Sequence, residues 1–173
     1  MPAGNGNPHL IVMTISTQTE DRRNRIANHL SKLIAICKDG QAGYRAVAHD
    51  AKDPELIELF TRLADQRAQF ATQLQELVRD LRCEPHLTAS FTGAFHRGWI
   101  NIKSAAAIND AHAALAECER GEDAVIEAYR KVLEEAPLDG GLRAVIGTQA
   151  IALKDMHDEV RFLRDLPVYG TSV

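Results

Sequence analysis

The stretch that decides the fold is residues 114–133, ALAECERGEDAVIEAYRKVL. Its apolar side chains recur every three or four residues, which is the spacing of an amphipathic helix with one buried face. The positions on this face are Leu115, Cys118, Glu122, Val125, Ile126, Tyr129 and Leu133. An acid, Glu122, therefore lies near the middle of the predicted buried face, and a buried carboxylate needs a partner.

The flanking sequence shows the same spacing and predicts three more long helices, so that the stretch above belongs to the third of four. We expect the first from a cap at Thr17 or Thr19 to Asp50, and the second from Pro54, capped by Asp53, to about Arg82. The third is expected at 111–135 and the fourth from about Leu142 to Leu166, where Pro167 ends it. The sequence therefore predicts an all-α four-helix bundle.

The remaining segments are assigned to a crossover and two tails. Turn-forming residues at 83–95 predict a long crossover between the second and third helices, and 96–107 a short extra helix. Residues 1–18 are expected to form a flexible N-terminal tail and 168–173 a C-terminal tail, which leaves 19–167 as the bundle.

Composition narrows the class of protein. The chain has 173 residues and a formal net charge of −4, with no basic stripe of the kind that nucleic acid requires. The longest early apolar run, Leu10–Ile15, is too short to span a membrane and lacks the flanks of a signal peptide. Three widely spaced cysteines suggest no disulfide framework. We therefore expect a cytoplasmic protein that binds neither nucleic acid nor membrane.

A second charge, Arg67, falls on the buried face of the second predicted helix. Because an unpaired buried charge is prohibitively costly, we expect a bidentate ion pair between Arg67 and Glu122. Its remaining hydrogen bonds are expected to be completed by Gln41, Tyr44, Tyr129 or Gln149. The alternative is that Arg67 extends to a bundle edge and that Glu122 reaches water.

Other residues are weaker candidates for a site. His96, Arg97 and Trp99 could form a binding surface, but we favour a structural role in which Trp99 fills the bundle end and His96 and Arg97 hold the crossover in place. Glu119 with Glu122, or Asp155 with His157 and Asp158, could bind one metal ion at a bundle edge. If a metal is bound, we expect its ligands to be Glu119, Glu122 and His157. Inward-facing cysteines at 37 and 118 are expected to be core residues, and glycines at 40 and 43 to admit a bulky neighbour.

Several segments resemble a known family in both order and spacing. They are LIAICKDGQAGYRAVAHDAKDPEL, LADQRAQFATQLQ, FHRGWINIKSA, ECERGEDAVIEAY and HDEVRFLRDL. From about Asp21 to Leu166 the chain resembles a bacterial four-helix-bundle family of unknown function in the ferritin-like superfamily. The resemblance implies a ferritin-like fold and an association with stress, but it implies no established activity.

Di-iron members of that superfamily use one Glu from each of two helices and Glu-x-x-His from each of the others. By that resemblance Glu122 and His157 would be retained. The second helix instead reads Arg67-Ala68-Gln69-Phe70, the fourth reads Lys154-Asp155-Met156-His157, and the first offers Cys37 or Gln41. A fixed positive charge stands where cations should bind, so we expect a degenerate site and no cofactor.

Three hypotheses about function follow. We favour a non-enzymatic bundle that acts through its surfaces as a homo-oligomer, with a dimer expected and the protein partner unknown. The alternative is an iron- or manganese-binding oxidoreductase or iron-handling protein that uses Glu122 and His157. A third hypothesis is a cavity that binds a small anion against Arg67.

Overall fold

The computed structural model describes residues 8–82, 102, 104, 105 and 110–169. Four helices make up most of this part of the chain. They are α1 (Pro8–Asp50), α2 (Pro54–Asp80), α3 (Ala111–Glu135) and α4 (Gly140–Arg164). The described ranges contain no strand, and the predicted all-α four-helix bundle is confirmed.

The bundle consists of two helical hairpins. α1 packs along α2 and α3 along α4, while α1 also contacts α3 and α2 contacts α4. Contacts between α1 and α3 pair Cys37 with Tyr129 and Tyr44 with Glu122, so these helices are antiparallel. α2 and α3 consequently run in the same direction on a diagonal of the bundle. The expected crossover at 83–95 lies outside the described residues, as does most of the expected helix at 96–107.

Aspartates begin three of the helices. The Asp53 carboxylate accepts hydrogen bonds from the backbone N–H groups of Glu55 and Leu56, and Pro54 is the first residue of α2. Asp110 and Asp139 cap α3 and α4 in the same way. An N-cap side chain satisfies backbone donors that the first helical turn leaves free. The cap expected at Asp53 is therefore confirmed.

The ends of the bundle differ from expectation in two places. α1 begins at Pro8 rather than after Thr17 or Thr19. Proline is favourable at a first helical position, and no glycine or second proline follows until Gly40, so nothing in the sequence stops the helix earlier. In the expected C-terminal tail, Tyr169 is buried, and its hydroxyl donates to Glu55 Oε2 over 2.7 Å.

Two apolar clusters fill the interior on either side of a polar layer. One cluster includes Leu30, Leu74, Val132 and Ile146, and the other includes Leu59, Phe60, Leu115 and Val160. Buried polar side chains lie between them. They include Arg67, Glu122 and Gln149. None of the described helices carries an apolar stretch of membrane-spanning length.

Candidate functional site

The predicted contact between Arg67 and Glu122 is present at the centre of the bundle. Both side chains are fully buried, and Arg67 Nη2 donates to Glu122 Oε2. The expectation of a bidentate pair is wrong, because the other carboxylate oxygen, Oε1, accepts a hydrogen bond from the Tyr44 hydroxyl. Glu122 thus joins α2 and α1 to α3 through one carboxylate.

Local sequence explains how a side chain as long as arginine fits here. Gly40 of α1 lies beside its aliphatic part, and a Cβ added at Gly40 would stand 3.2 Å from Arg67 Cγ. The neighbouring Gln66 accepts from Arg67 Nη1 through Oε1 at 2.5 Å. Within the described residues, Arg67 Nε has no hydrogen-bond partner. The expectation that a glycine here admits a bulky side chain is confirmed for Gly40.

Burial and the neighbouring side chains determine the protonation states of the groups in this layer. Burial opposes the charged form of Arg67, but the Glu122 carboxylate, together with the neighbouring Tyr44 and Cys37, more than offsets it, so the Arg67 pKa is raised. Burial raises the pKa of Tyr44 well above its usual value, and the neighbouring Cys118 and Glu122 side chains add to the effect. Tyr44 therefore stays protonated and remains a donor to the carboxylate.

A second set of hydrogen bonds runs beside the ion pair. The Tyr129 hydroxyl donates to Gln149 Oε1 at 2.8 Å, and Gln149 Nε2 donates to Gln73 Oε1 at 2.7 Å. Cys37 Sγ lies 3.4 Å from the Tyr129 hydroxyl oxygen. Tyr129 and Gln149 are thus inside the bundle as expected, but they bond to each other and to Gln73 rather than to Arg67 or Glu122.

Sequence reasoning placed one glutamine wrongly and missed two others. Gln41 was expected at the ion pair, but its amide lies beside the Arg45 guanidinium, and with its oxygen turned toward Arg45 it accepts two hydrogen bonds at 3.0 and 3.1 Å. Its position at the edge of the α1 stripe lets it turn toward that neighbour. Gln66 and Gln73 flank the apolar stripe of α2, and both accept hydrogen bonds from buried side chains, although Gln73 itself is exposed. The only signal in the sequence is that the two glutamines lie on the same side of the helix.

His157 is buried near the rim between α3 and α4, where carboxylates surround it. Its Nε2 is 3.1 Å from Asp123 Oδ1 and 3.9 Å from Glu119 Oε1, and its Nδ1 is 3.0 Å from Asp158 Oδ1. Glu119 is also paired with Arg164. Of the expected metal ligands, Glu119 and His157 therefore lie close together. Glu122 is not with them, because it bonds to Arg67 and Tyr44 in the interior.

These residues do not fit a di-iron centre. Such a centre needs several inward-facing carboxylates with free oxygens, whereas both oxygens of Glu122 accept hydrogen bonds and its closest charged neighbour is a guanidinium. In the part of the chain that the structure describes, no group of three or more His, Cys, Asp or Glu side chains could hold a metal ion. The predicted surface residues His96, Arg97 and Trp99 lie outside that part.

Comparison with known proteins identifies a family. A search of the curated proteins found no match to this chain. The family model described as "Domain of unknown function (DUF2383)" matches residues 25–135. This span contains α1 from Arg25 onward, α2 and α3, and thus Tyr44, Arg67 and Glu122. The match confirms the expected family of unknown function: the chain belongs to the DUF2383 family.

Proposed function

We propose that this protein is a non-enzymatic helical bundle that acts through its surfaces as a homo-oligomer, and that its central polar layer fixes the register of the helices. The observation that carries the proposal is the fully buried contact between Arg67 and Glu122. On this view the pair stands where ferritin-like relatives would hold metal, so the site is a degenerate one.

The free energies involved indicate that the buried ion pair fixes the register of the helices rather than raising the stability of the fold. Removing two charges from water costs several kcal/mol per ion, on the order of what their attraction returns. A misaligned packing of the helices would separate the two charges, and their attraction would no longer offset the free energy lost by removing them from water. The polar layer therefore penalises alternative registers strongly, even if it adds little to the stability of the correct one.

The shape of the hydrogen-bond network supports the same role. Tyr44 of α1, Arg67 of α2 and Glu122 of α3 meet at one carboxylate. Gln149 brings α4 into the layer through its bonds with Tyr129 and Gln73. Every helix of the bundle thus contributes a buried polar group whose partner lies on a different helix. A shift of any one helix by one turn would break at least one of these bonds.

The alternative function is iron or manganese binding, as an oxidoreductase or an iron-handling protein. It would need His157 and Glu122 to turn toward one point and Arg67 to leave the centre. We favour the non-enzymatic function because hard divalent cations prefer oxygen-rich sites without a neighbouring fixed cation. The resemblance also implies an association with stress, which we retain as part of the proposal.

The test is elemental analysis of the untagged chain, purified without chelator and repeated after anaerobic incubation with ferrous iron. Glu122→Gln and the exposed-site variant Glu127→Gln serve as a matched pair. We expect less than one tenth of an equivalent of iron or manganese in all three proteins, on the order of adventitious binding. Near-stoichiometric metal that Glu122→Gln abolishes and Glu127→Gln retains would establish the alternative.

A cytoplasmic location is part of the same proposal. Cys37 and Cys118 are free, buried thiols. Burial raises the pKa of both thiols, which keeps them in the protonated, unreactive form. Such thiols are compatible with a reducing compartment, where disulfides are rare.

A further inference from the structure

A groove with a volume of about 150 Å³ lies on the surface of the bundle between α1 and α3. Leu33 and Ile36 of α1 and Val132 of α3 are buried and form its apolar floor. Ala124 and Ala128 of α3 lie one turn apart along the groove, and their small side chains leave it open. The groove is large enough for an apolar group of about the size of a benzene ring.

Charged side chains form the rim of the groove, and two of them neutralise each other. Lys131 Nζ lies 3.6 Å from Glu127 Oε1, one turn away on α3. The Glu127 carboxylate also accepts hydrogen bonds from Arg130, which does not line the groove. Both charges of this pair therefore already have partners within α3.

The other two charges of the rim are Lys32 of α1 and Glu135 of α3, and both are exposed. Within the described residues, neither side chain forms a salt bridge or a hydrogen bond, with the other or with any third group. Both act on His29, which also lines the groove: burial and Lys32 lower the pKa of its imidazole, and Glu135 opposes them. A free cation and a free anion therefore lie near the same half-buried imidazole, which is neutral at pH 7.

The groove consequently has a polar end and an apolar end. Because α1 and α3 are antiparallel, Lys32 lies near Glu135, at the end of α3. Ile36 is one turn further along α1 and lies nearer to Ala128. A ligand that is complementary to both ends needs one carboxylate and one ammonium group close together, with a short apolar chain attached to them.

We propose that the groove between α1 and α3 binds a small α-amino acid with an apolar side chain. Lys32 pairs with the carboxylate of this ligand and Glu135 with its ammonium group, while its side chain lies on Leu33, Ile36 and Ala128. This site does not depend on the proposed function, since neither the polar layer nor the homo-oligomer takes part in it. Exposed ion pairs each contribute little, so we expect a dissociation constant on the order of 1 mM.

The test is a titration of the isotope-labelled full chain with L-leucine, followed through the NMR chemical shifts of the backbone amides. We expect saturable shifts at the residues that line the groove. Three related compounds each lack one feature of the ligand: isocaproate lacks the ammonium group, isoamylamine lacks the carboxylate, and glycine lacks the apolar side chain. Each should bind at least about threefold more weakly than L-leucine, because one set of contacts is lost.

Matched substitutions locate the charged contacts. Lys32→Gln should weaken the binding of L-leucine at least about threefold, whereas Lys38→Gln, at an exposed position of α1 outside the groove, should not change it. Glu135→Gln should weaken the binding of L-leucine but not that of isocaproate, which has no ammonium group. Because Lys32 and Glu135 are exposed, both variants should keep the circular dichroism spectrum of the wild type.

A third pair of variants tests the apolar part of the groove. Ala128→Leu fills the space and should abolish binding, whereas Ala144→Leu, at an exposed position of α4, should leave it intact. The proposal would be overturned by the absence of saturable shifts up to about 20 mM L-leucine, some twenty times the expected dissociation constant. Isocaproate or isoamylamine that binds as tightly as L-leucine would also overturn it, as would shifts that Ala128→Leu does not remove. None of these results bears on the homo-oligomer or on the metal analysis of the polar layer.

Discussion

Gly40 of α1 and Arg67 of α2 are matched in shape: the space that a Cβ would fill at Gly40 is bounded by Arg67 Cγ at 3.2 Å and Cδ at 3.4 Å. Glu122 and Gln66 hold the guanidinium at the far end of the same side chain. Arg67 is therefore fixed at both ends, by packing on α1 and by hydrogen bonds across the bundle.

This relationship predicts opposite effects for one substitution at two glycines. Gly40→Ala should lower the free energy of unfolding by about 1 kcal/mol, because the strain of overpacking exceeds the gain in helix propensity. Gly121→Ala should raise it by about 0.5–1 kcal/mol, since no atom lies within 4 Å of the added Cβ there. Urea denaturation of both variants checks the prediction, and a Gly40→Ala variant as stable as Gly121→Ala would contradict it.

The buried hydrogen bond of the Tyr44 hydroxyl predicts a difference in stability between two Tyr→Phe variants. Tyr44→Phe leaves Glu122 Oε1 buried without its donor, so we expect a loss of about 1–3 kcal/mol in the free energy of unfolding. Tyr169→Phe is the control, because its hydroxyl also donates to a carboxylate, that of Glu55. Glu55 is exposed and water can replace the lost donor. If the two variants lose the same free energy of unfolding, the buried hydrogen bond of Tyr44 contributes no more to stability than the exposed one of Tyr169.

The burial of Cys37 and Cys118 predicts how these thiols react with reagents and how the stability of the chain depends on pH. Cys83→Ser removes the third cysteine of the chain and leaves Cys37 and Cys118. In this background the folded chain should not react with a thiol reagent at pH 8, and both remaining thiols should react once it is unfolded in urea. Burial raises the pKa of Cys37 and Cys118 above the model-compound value of 9.0. Their contribution to stability is therefore complete below about pH 9 and is lost as the pH rises toward the folded-state values.

The pH dependence is measured as the urea midpoint between pH 7 and 11 in that background. We expect it to fall above about pH 9, and to fall less steeply in Cys118→Ala, which removes the group whose pKa burial raises most clearly of the two thiols. Rapid labelling of two thiols in the folded chain, or a midpoint that does not change up to pH 11, would show that these side chains are accessible to solvent.

Helical periodicity predicted the bundle and the meeting of its two buried charges. Arg67 and Glu122 each lie at the centre of an apolar stripe, and the cost of burying either charge alone leaves pairing as the remaining solution. The same reasoning placed Asp53 at a helix start, because a side-chain cap acts within one turn and its signal is local.

Details that depend on side-chain reach could not be predicted in this way. A residue at the edge of a stripe can bond within its own helix or across the bundle: Gln41 lies beside Arg45 of α1, whereas Gln73 accepts from Gln149 of α4. Periodicity assigns such residues to an edge and cannot choose between the two. The division of the Glu122 oxygens between Arg67 and Tyr44 depends on the spacing of three helices, which no single stripe encodes.

The central claim is that Arg67 and Glu122 act as one structural unit, and a double-mutant cycle tests it most directly. Urea denaturation would be measured for Arg67→Met, Glu122→Gln and the double variant, with Arg130→Met and Glu127→Gln as an exposed control pair. We expect Glu122→Gln alone to cost about 3–5 kcal/mol, because it leaves Arg67 buried and unpaired. The double variant should recover more than about 2 kcal/mol of that loss, and the control pair should show little coupling. Additive single effects at Arg67 and Glu122, with a coupling below about 0.5 kcal/mol, would contradict the account.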